Sequence, residues 1–408
     1  MVVLTSIAQT PYVTEVTEYK KPFTLPELRL GPVNFYPRLG FQSMYDDNIY
    51  ASTSNEKSDF ISSIRPGFLA AAGDTDLIAL YRRKDWSLFR YNPENILISD
   101  PESWPRQMYL LDYSPQFNWF SKYTDNNATD HYLNAGAYIP FSKAIISVRQ
   151  NYLHQTTTII EANRRSAQDT VSTGIAGGIQ LGPKSSIYTL LSRNDYSYER
   201  KDLYGYTDYS SETWFNWNTT PKITLSAGLT LGMFDVQQQP NQYYEQLRFR
   251  ARYYPSERLW LDGSFGIQFR QISGGRSTTE PVGSIAAYYH WREKTYLSLS
   301  AARTESASIA WGNYNYLQTG FAFGISQQIG DRVTISLSPG YYNLDYVQTK
   351  STTSANRRDD YFYAGASVNV KLSKYLEGSL FYNHLTRTST AANDLTYNRA
   401  GIQIVWSY

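Results

Sequence analysis

The chain has 408 residues, of which none is cysteine, and 38 basic against 36 acidic side chains leave a formal charge of +2. Disulfide frameworks, cysteine-held zinc and thiol catalysis are therefore excluded, and the charge makes no case for nucleic acid. Mean hydropathy is -0.48 with 41% hydrophobic residues, and no apolar run reaches the roughly eighteen residues of a membrane-spanning helix. A membrane β-barrel has this same average, because each lipid-facing residue is followed by a polar lumen-facing one and the two cancel. The 37 tyrosines and 9 tryptophans favour the barrel, which uses such rings as girdles at the two membrane surfaces.

In chain order, residues 1–32 read as an extended arm outside any sheet, because Pro11, Pro22, Pro26 and Pro32 interrupt it. Ser6-Ile-Ala8 resembles the small-residue end of a secretory signal, so residues 1–8 are expected to be a signal remnant. Alternation begins at Val33: Val33, Phe35, Pro37, Leu39 and Phe41 share one face, against Asn34, Tyr36, Arg38 and Gln42, and a return strand runs from Ser58 to Ala71. Residues 73–107 break the pattern with Arg82, Arg83, Lys84 and Asp85, then Pro93, Pro101 and Pro105, and read as an insertion.

From Met108 the periodicity predicts sixteen strands, at 108–120, 130–141, 144–156, 169–182, 186–198, 209–219, 222–237, 242–254, 258–271, 281–292, 295–307, 315–329, 332–347, 360–372, 375–387 and 395–408. Tight turns at Ser142-Lys143, Pro183-Lys-Ser185, Pro221-Lys222, Pro255-Ser-Glu-Arg258, Arg292-Glu-Lys294, Gly330-Asp-Arg332 and Ser373-Lys374 alternate with longer polar connections, and Gln238-Gln-Pro240 is a looser turn. Short turns at one end and longer loops at the other is the asymmetry of outer-membrane barrels.

With the first two strands the total is 18, an even number that puts both termini, every short turn and the 73–107 insertion at one end, expected to be the periplasmic one. A strand pair within the insertion would make 20, and 16 is the other alternative. The domain reading is thus an arm over 1–32 and one transmembrane barrel over 33–408. At the periplasmic mouth the arm and insertion would narrow the opening or dock a partner.

The two faces of each strand differ sharply. Ile223, Leu225, Ala227, Leu229, Leu231 and Met233 oppose Thr224, Ser226, Gly228, Thr230 and Gly232, and Val333, Ile335, Leu337, Pro339 and Tyr341 oppose Thr334, Ser336, Ser338 and Gly340. A soluble sandwich, propeller or jelly roll would turn its apolar face inward, so strand number and aromatic load decide for the membrane barrel. The last strand has Ala400, Ile402, Ile404, Trp406 and Tyr408 on one face and Gly401, Gln403, Val405 and Ser407 on the other. Arg399, Gly401, Ile404, Trp406 and Tyr408 resemble the C-terminal signal read by the barrel-assembly machinery.

The runs Pro37-Arg-Leu-Gly-Phe41, Asp47-Asn-Ile-Tyr50 and Arg65-Pro-Gly67 resemble the β-barrel porin 2 family, outer-membrane proteins that accompany exopolysaccharide operons. The resemblance implies an outer-membrane barrel, surrounded by lipid and lipopolysaccharide, that serves as the exit for a secreted polymer and meets a periplasmic export partner.

Arg248-Phe-Arg-Ala-Arg252 aligns three arginines opposite Leu247, Phe249, Ala251 and Tyr253. A charge facing lipid at mid-depth costs about 2 to 4 kcal/mol, so Arg248, Arg250 and Arg252 belong to the lumen. The same phasing puts Arg38, Arg65, Arg149, Arg270, Arg292 and Arg399 inside, against the acids Asp112, Asp262 and Glu377. They read either as an electropositive pore or as structural ion pairs. Tyr36, Tyr288 and His290 also face inward, as sugar-stacking rings or as wall packing.

Gly177-Gly-Ile-Gln-Leu-Gly182-Pro-Lys-Ser185 is not a phosphate loop, because Pro183 interrupts it and a strand follows. His131, His154, His290 and His384 lack metal-ligand spacing, so no metal or cofactor is expected. No nucleophile elbow or triad is present, and the chain is read as no enzyme. The expected function is a porin-like channel for hydrophilic, anionic solutes or an exported polysaccharide. The alternative is a closed structural or adhesive barrel that binds a partner through its loops; no extracellular loop is expected to be long enough to fold inward as a large plug.

Overall fold

The structure is a computed structural model that describes residues 28–74, 107–349, 354–391 and 393–407. Its strands begin with β1 (Leu28–Leu30), β2 (Val33–Asp46), β3 (Asp59–Gly73), β4 (Met108–Phe120), β5 (Ala128–Pro140) and β6 (Ala144–Ile159). There follow β7 (Arg164–Gly182), β8 (Ser185–Tyr198), β9 (Tyr206–Thr220), β10 (Ile223–Val236), β11 (Gln242–Ser256), β12 (Leu259–Ile272) and β13 (Ser277–Arg292). The last are β14 (Thr295–Ala307), β15 (Tyr314–Ile329), β16 (Val333–Gln348), β17 (Ser354–Lys371), β18 (Leu376–Ser389) and β19 (Leu395–Ser407).

From β2 to β19 each strand pairs antiparallel with the next, and β19 pairs antiparallel with β2 from Arg399↔Asp46 to Ser407↔Arg38. The result is a closed, all-β ring of 18 strands. Closure gives each strand of the described ring a partner on both sides, which is the condition for a sheet to stand in lipid.

β1 lies outside the ring and corrects the expectation that residues 1–32 avoid the sheet. Leu28 to Leu30 pair with Phe35 to Val33, along the edge of β2 that β19 leaves vacant beyond Arg38. Gly31 makes this hairpin, since its φ of +61° is strained for a residue with a side chain. Residues 1–27 and 75–106, which include the stretch expected to be a signal remnant and most of the expected insertion, fall outside the described part, as does Tyr408. The two ends of the insertion meet: Gly73 pairs with Met108, and the Asp74 amide donates to the Gln107 carbonyl at 3.1 Å.

Burial alternates along the strands with the predicted phase. On β10, Leu225, Ala227, Leu229 and Leu231 are exposed on the outer face, whereas Ser226, Gly228 and Thr230 are buried inside. Leu299, Phe265, Ile285 and Phe321 continue the outer apolar band around the ring. Exposed Trp217, Trp291 and Trp406 edge it at the short-turn end, and Tyr45, Trp119 and Tyr243 at the long-loop end. Such a surface is stable only against hydrocarbon, with the rings at its two polar boundaries.

Candidate functional site

The inner wall is built around the small face of β10. Ser226, Gly228, Thr230 and Gly232 form a shallow trough, and side chains from β9 and β11 meet across it. A Cβ on Gly228 would lie 2.5 Å from the Trp214 ring, so the fully buried indole rests directly on glycine. Arg250 stacks its guanidinium 4.1 Å from the centre of that ring and reaches Asn216 Oδ1 at 3.4 Å. Arg248 crosses the trough to pair with Glu212, two strands away, and donates to Thr230 Oγ1 at 3.1 Å. Arg252 pairs with Asp262 at 2.9 Å.

The other predicted arginines are similarly engaged. Arg38 pairs with Asp112 and donates to Ser114 Oγ at 2.8 Å. Arg270 pairs with Glu305 at 3.1 Å, and Arg399 with Asp46 at 2.8 Å. Arg65 lies 4.0 Å over the Tyr132 ring, and Arg149 faces the Asn151 amide oxygen at 2.8 Å once that amide is turned to suit it. Arg292 departs from the prediction. It follows a register irregularity after His290, is exposed, and lies 5.4 Å from the ring of outward-facing Trp291, at the short-turn rim.

Sequence reasoning missed most of the acids that answer these arginines, namely Asp46, Glu212 and Glu305, together with Glu280 and Asp359, which pair with Arg303 and Arg357. The inner wall is consequently a lattice of paired charges, amides and hydroxyls.

The predicted aromatic residues separate into two groups. Tyr36 packs against the buried Leu69, Ala71, Met108, Leu110 and Tyr138 and is part of the wall. Tyr288 stacks on Trp260 with centroids 4.9 Å apart, Trp260 continues to Tyr254 at 6.0 Å, and His290 meets Tyr296 edge-on at 4.5 Å. This row, half-buried except for the exposed Tyr254, runs along the inner face near the short turns. Of the C-terminal residues expected to signal assembly, Ile404 and Trp406 are exposed outward, and Gly401 sits where a Cβ would be 2.6 Å from the Ser43 carbonyl oxygen.

At the long-loop end, the expectation that no extracellular loop is long enough to fold inward as a large plug meets a correction, because two strand tips reach inward. Pairing of β5 with β6 stops at His131↔His154, yet β6 continues with β7 to Ile159↔Arg164. Freed from β5, this tip turns into the lumen. The Thr156 amide donates to Asp130 Oδ1 at 2.8 Å, and Arg165 on the same tip lies 4.7 Å over Phe120 of β4. Opposite, pairing of β13 with β14 stops at Gly283↔Arg303 while β14 continues with β15 to Ala307↔Asn315. That tip also turns in, and its former outer face rests on the inner wall: Gln268 donates to Glu305 at 2.6 Å, and Gln242 to Asn315 at 3.0 Å.

The two tips meet inside the ring. Ser308 Oγ donates to Glu161 Oε1 at 2.5 Å, and the Tyr346 hydroxyl donates to the same oxygen at 3.3 Å. Arg387 donates to the Ile160 carbonyl at 3.0 Å and to Asn163 Oδ1 at 2.8 Å. Apolar clusters flank this junction. Ile160 and Ala51 join Tyr316, Tyr342, Leu344, Tyr361 and Leu385, whereas Ile159 joins Leu203, Phe234 and Ile309. Burial holds the Glu161 carboxyl above its ordinary value, an effect that Ser308, Arg357, Ile309 and Tyr346 oppose.

A closed ring with an apolar outer band, aromatic girdles and a polar inner wall is the architecture of a transmembrane β-barrel. No family model matches the chain, and no curated protein matches it in sequence. Among solved structures it is similar to OccAB4 of Acinetobacter baumannii, with 11% identity, 92% of this chain and 98% of that one covered, and a TM-score of 0.47. It is similar also to OccK1 (OpdK) of Pseudomonas aeruginosa, at 9% identity, 92% and 99% coverage and a TM-score of 0.46. The siderophore receptor PirA of Pseudomonas aeruginosa gives 8% identity, 91% and 80% coverage and a TM-score of 0.43. At these values the likeness carries no inference about solute or specificity.

Proposed function

We propose that the chain is a porin-like outer-membrane channel for hydrophilic solutes, with anionic solutes or an exported polysaccharide as cargo, as in the β-barrel porin 2 family. The observation that carries this reading is the polar inner wall of an 18-strand ring. A ring of this size encloses more volume than its own side chains fill, and a wall of hydroxyls, amides and charge pairs keeps that volume wet. Ser338, on the inner face of β16, is exposed. Because the arginines are largely answered by acids, selectivity rests on hydrogen bonding more than on net field, which suits an uncharged or weakly anionic polymer.

In this reading the short turns, both termini and the insertion over 73–107 face the periplasm, where an export partner docks, and the long loops face the outside. Assembly follows from Arg399, Gly401, Ile404, Trp406 and Tyr408, and lipopolysaccharide surrounds the long-loop rim. A second reading, a closed structural or adhesive barrel, is favoured by one observation, the junction of the two inward tips over apolar clusters.

Planar-bilayer recording separates the two. The full chain and a variant with residues 156–166 replaced by a short Gly-Asn turn are compared; conductance of the full chain supports the channel, whereas conductance confined to the variant supports the closed barrel. Silence from both, with the barrel shown folded by its heat-shifted gel mobility, overturns it in favour of the closed barrel.

A further inference from the structure

Three features set the long-loop end apart from a plain plug. Both inward tips come from strands whose pairing to the preceding strand stops, at His131↔His154 and at Gly283↔Arg303. Each tip keeps full pairing to its own partner strand, so it is a two-stranded unit hinged on the wall. Finally, the contact between the tips centres on a buried carboxylate, Glu161, hydrogen-bonded from Ser308 and Tyr346.

A plug selected only for stability gains nothing from a carboxyl at this point. Buried ionisable groups replaced by apolar residues of similar volume commonly leave a fold as stable or more so. Polar contacts across the gap have a different use, because their partners can be rehydrated when the tips part, whereas an apolar seam loses its whole burial. The β14–β15 tip is likewise held to the inner wall by polar groups: Arg270 and Gln268 on Glu305, Gln242 on Asn315, and the Asn313 amide on Gln239 at 2.9 Å. The seam that it leaves beside β13 is bridged by Arg303 and Glu280 at 3.3 Å.

We propose that the β6–β7 and β14–β15 tips are the two leaves of one gate at the long-loop end, and that the contact of Glu161 with Ser308 and Tyr346 is its latch. The proposal rests on the channel reading. In the closed position the leaves meet across the lumen. Opening parts Glu161 from Ser308 and returns each leaf toward the strand from which its pairing lapses, β5 for one and β13 for the other, where unpaired backbone edges await it.

The absence of native cysteine makes the test clean. In the full-length protein, Glu161→Cys and Ser308→Cys are combined and bridged by oxidation or by a short bis-maleimide, with each single variant as control. Bridging is verified by gel mobility and folding by heat modifiability before bilayer recording. The bridged protein should be silent. The reduced double variant should show an open probability about tenfold above that of the unaltered chain, as expected for losing a hydrogen bond to a buried charged group. A verified bridge that leaves conductance equal to that of the reduced protein overturns the gate while leaving the channel intact. Silence of every form, including the variant with residues 156–166 replaced, overturns the channel reading and the gate with it. Should the double variant fail to fold, Ser308→Ala and Tyr346→Phe carry the test: both must raise open probability, and unchanged values overturn the latch.

Discussion

Ser308 and Glu161 stand 147 residues apart in the chain, yet the Ser308 hydroxyl donates to the Glu161 carboxylate with both groups buried. The surroundings of that carboxylate determine how it responds to pH. Facing it are Ser308 from the β14–β15 tip, Tyr346 from β16, Arg357 from β17 with its partner Asp359, and the ring hydroxyls of Tyr198, Tyr316 and Tyr361.

Burial raises the pKa of Glu161 in the closed position, so the closed form binds its proton more tightly than an open form in which the group meets water. Closing is therefore fully favoured below the ordinary carboxylate value and is weakened as pH rises through the raised one. Open probability should climb as pH is raised from below the ordinary carboxylate value to well above it. Glu161→Gln, neutral throughout, should flatten that profile. A profile of the same slope in Glu161→Gln would assign the response to another group.

Ion selectivity should move when a wall acid is removed. Asp262→Asn leaves Arg252 without its carboxylate, and Glu212→Gln does the same for Arg248. Each change should shift the anion-to-cation permeability ratio upward by a factor of about 3, the effect of a potential change near one kT in the lumen. Reversal potentials in a salt gradient measure it. An unchanged potential would place these pairs outside the conducting path.

Much of this architecture was legible in the sequence because a membrane barrel writes its phase into every strand. The predicted ranges 108–120 and 295–307 coincide with β4 and β14. The inward tips were not legible. Thr157, Thr158 and Ala162 to Gln168 are polar enough to read as part of a long loop, although β6 runs on to Ile159 and β7 begins at Arg164. Glu305 was hidden for a related reason: strict alternation from buried Ser298 and Ser300 puts it on the lipid face, and only the inward turn of the tip brings it to Arg270. Arg292 was misplaced because alternation does not survive the irregularity after His290.

Gly228 carries the trough between β9 and β11, and its substitution should be costly. In Gly228→Ala the added methyl meets the Trp214 ring at 2.5 Å, and forcing the indole aside should destabilise the barrel by about 1 to 3 kcal/mol. Displacing Trp214 also removes the surface on which Arg250 stacks. Urea unfolding of the detergent-held barrel, followed by tryptophan fluorescence, would register the loss. The companion change Gly330→Ala should cost less by packing, since nothing lies within 4 Å there, and any loss would come from its φ of +61°.

The wall beside the insertion is complete without it. β3 and β4 stay in register to Gly73↔Met108, and the Asp74 amide already bonds the Gln107 carbonyl. Gly73, with φ of +109° and no room for a Cβ beside the Gln107 carbonyl, fixes the point where the chain leaves the sheet. Replacing residues 75–106 by a short Gly-Asn turn should therefore give a heat-modifiable, membrane-inserted barrel of unchanged wall. If the segment narrows the short-turn mouth, conductance of the variant with residues 156–166 also replaced should rise further on its removal; if it serves only to dock a partner, conductance should stay level. Failure of the shortened chain to insert would mean that residues 75–106 are needed to build the wall, against the register of β3 and β4.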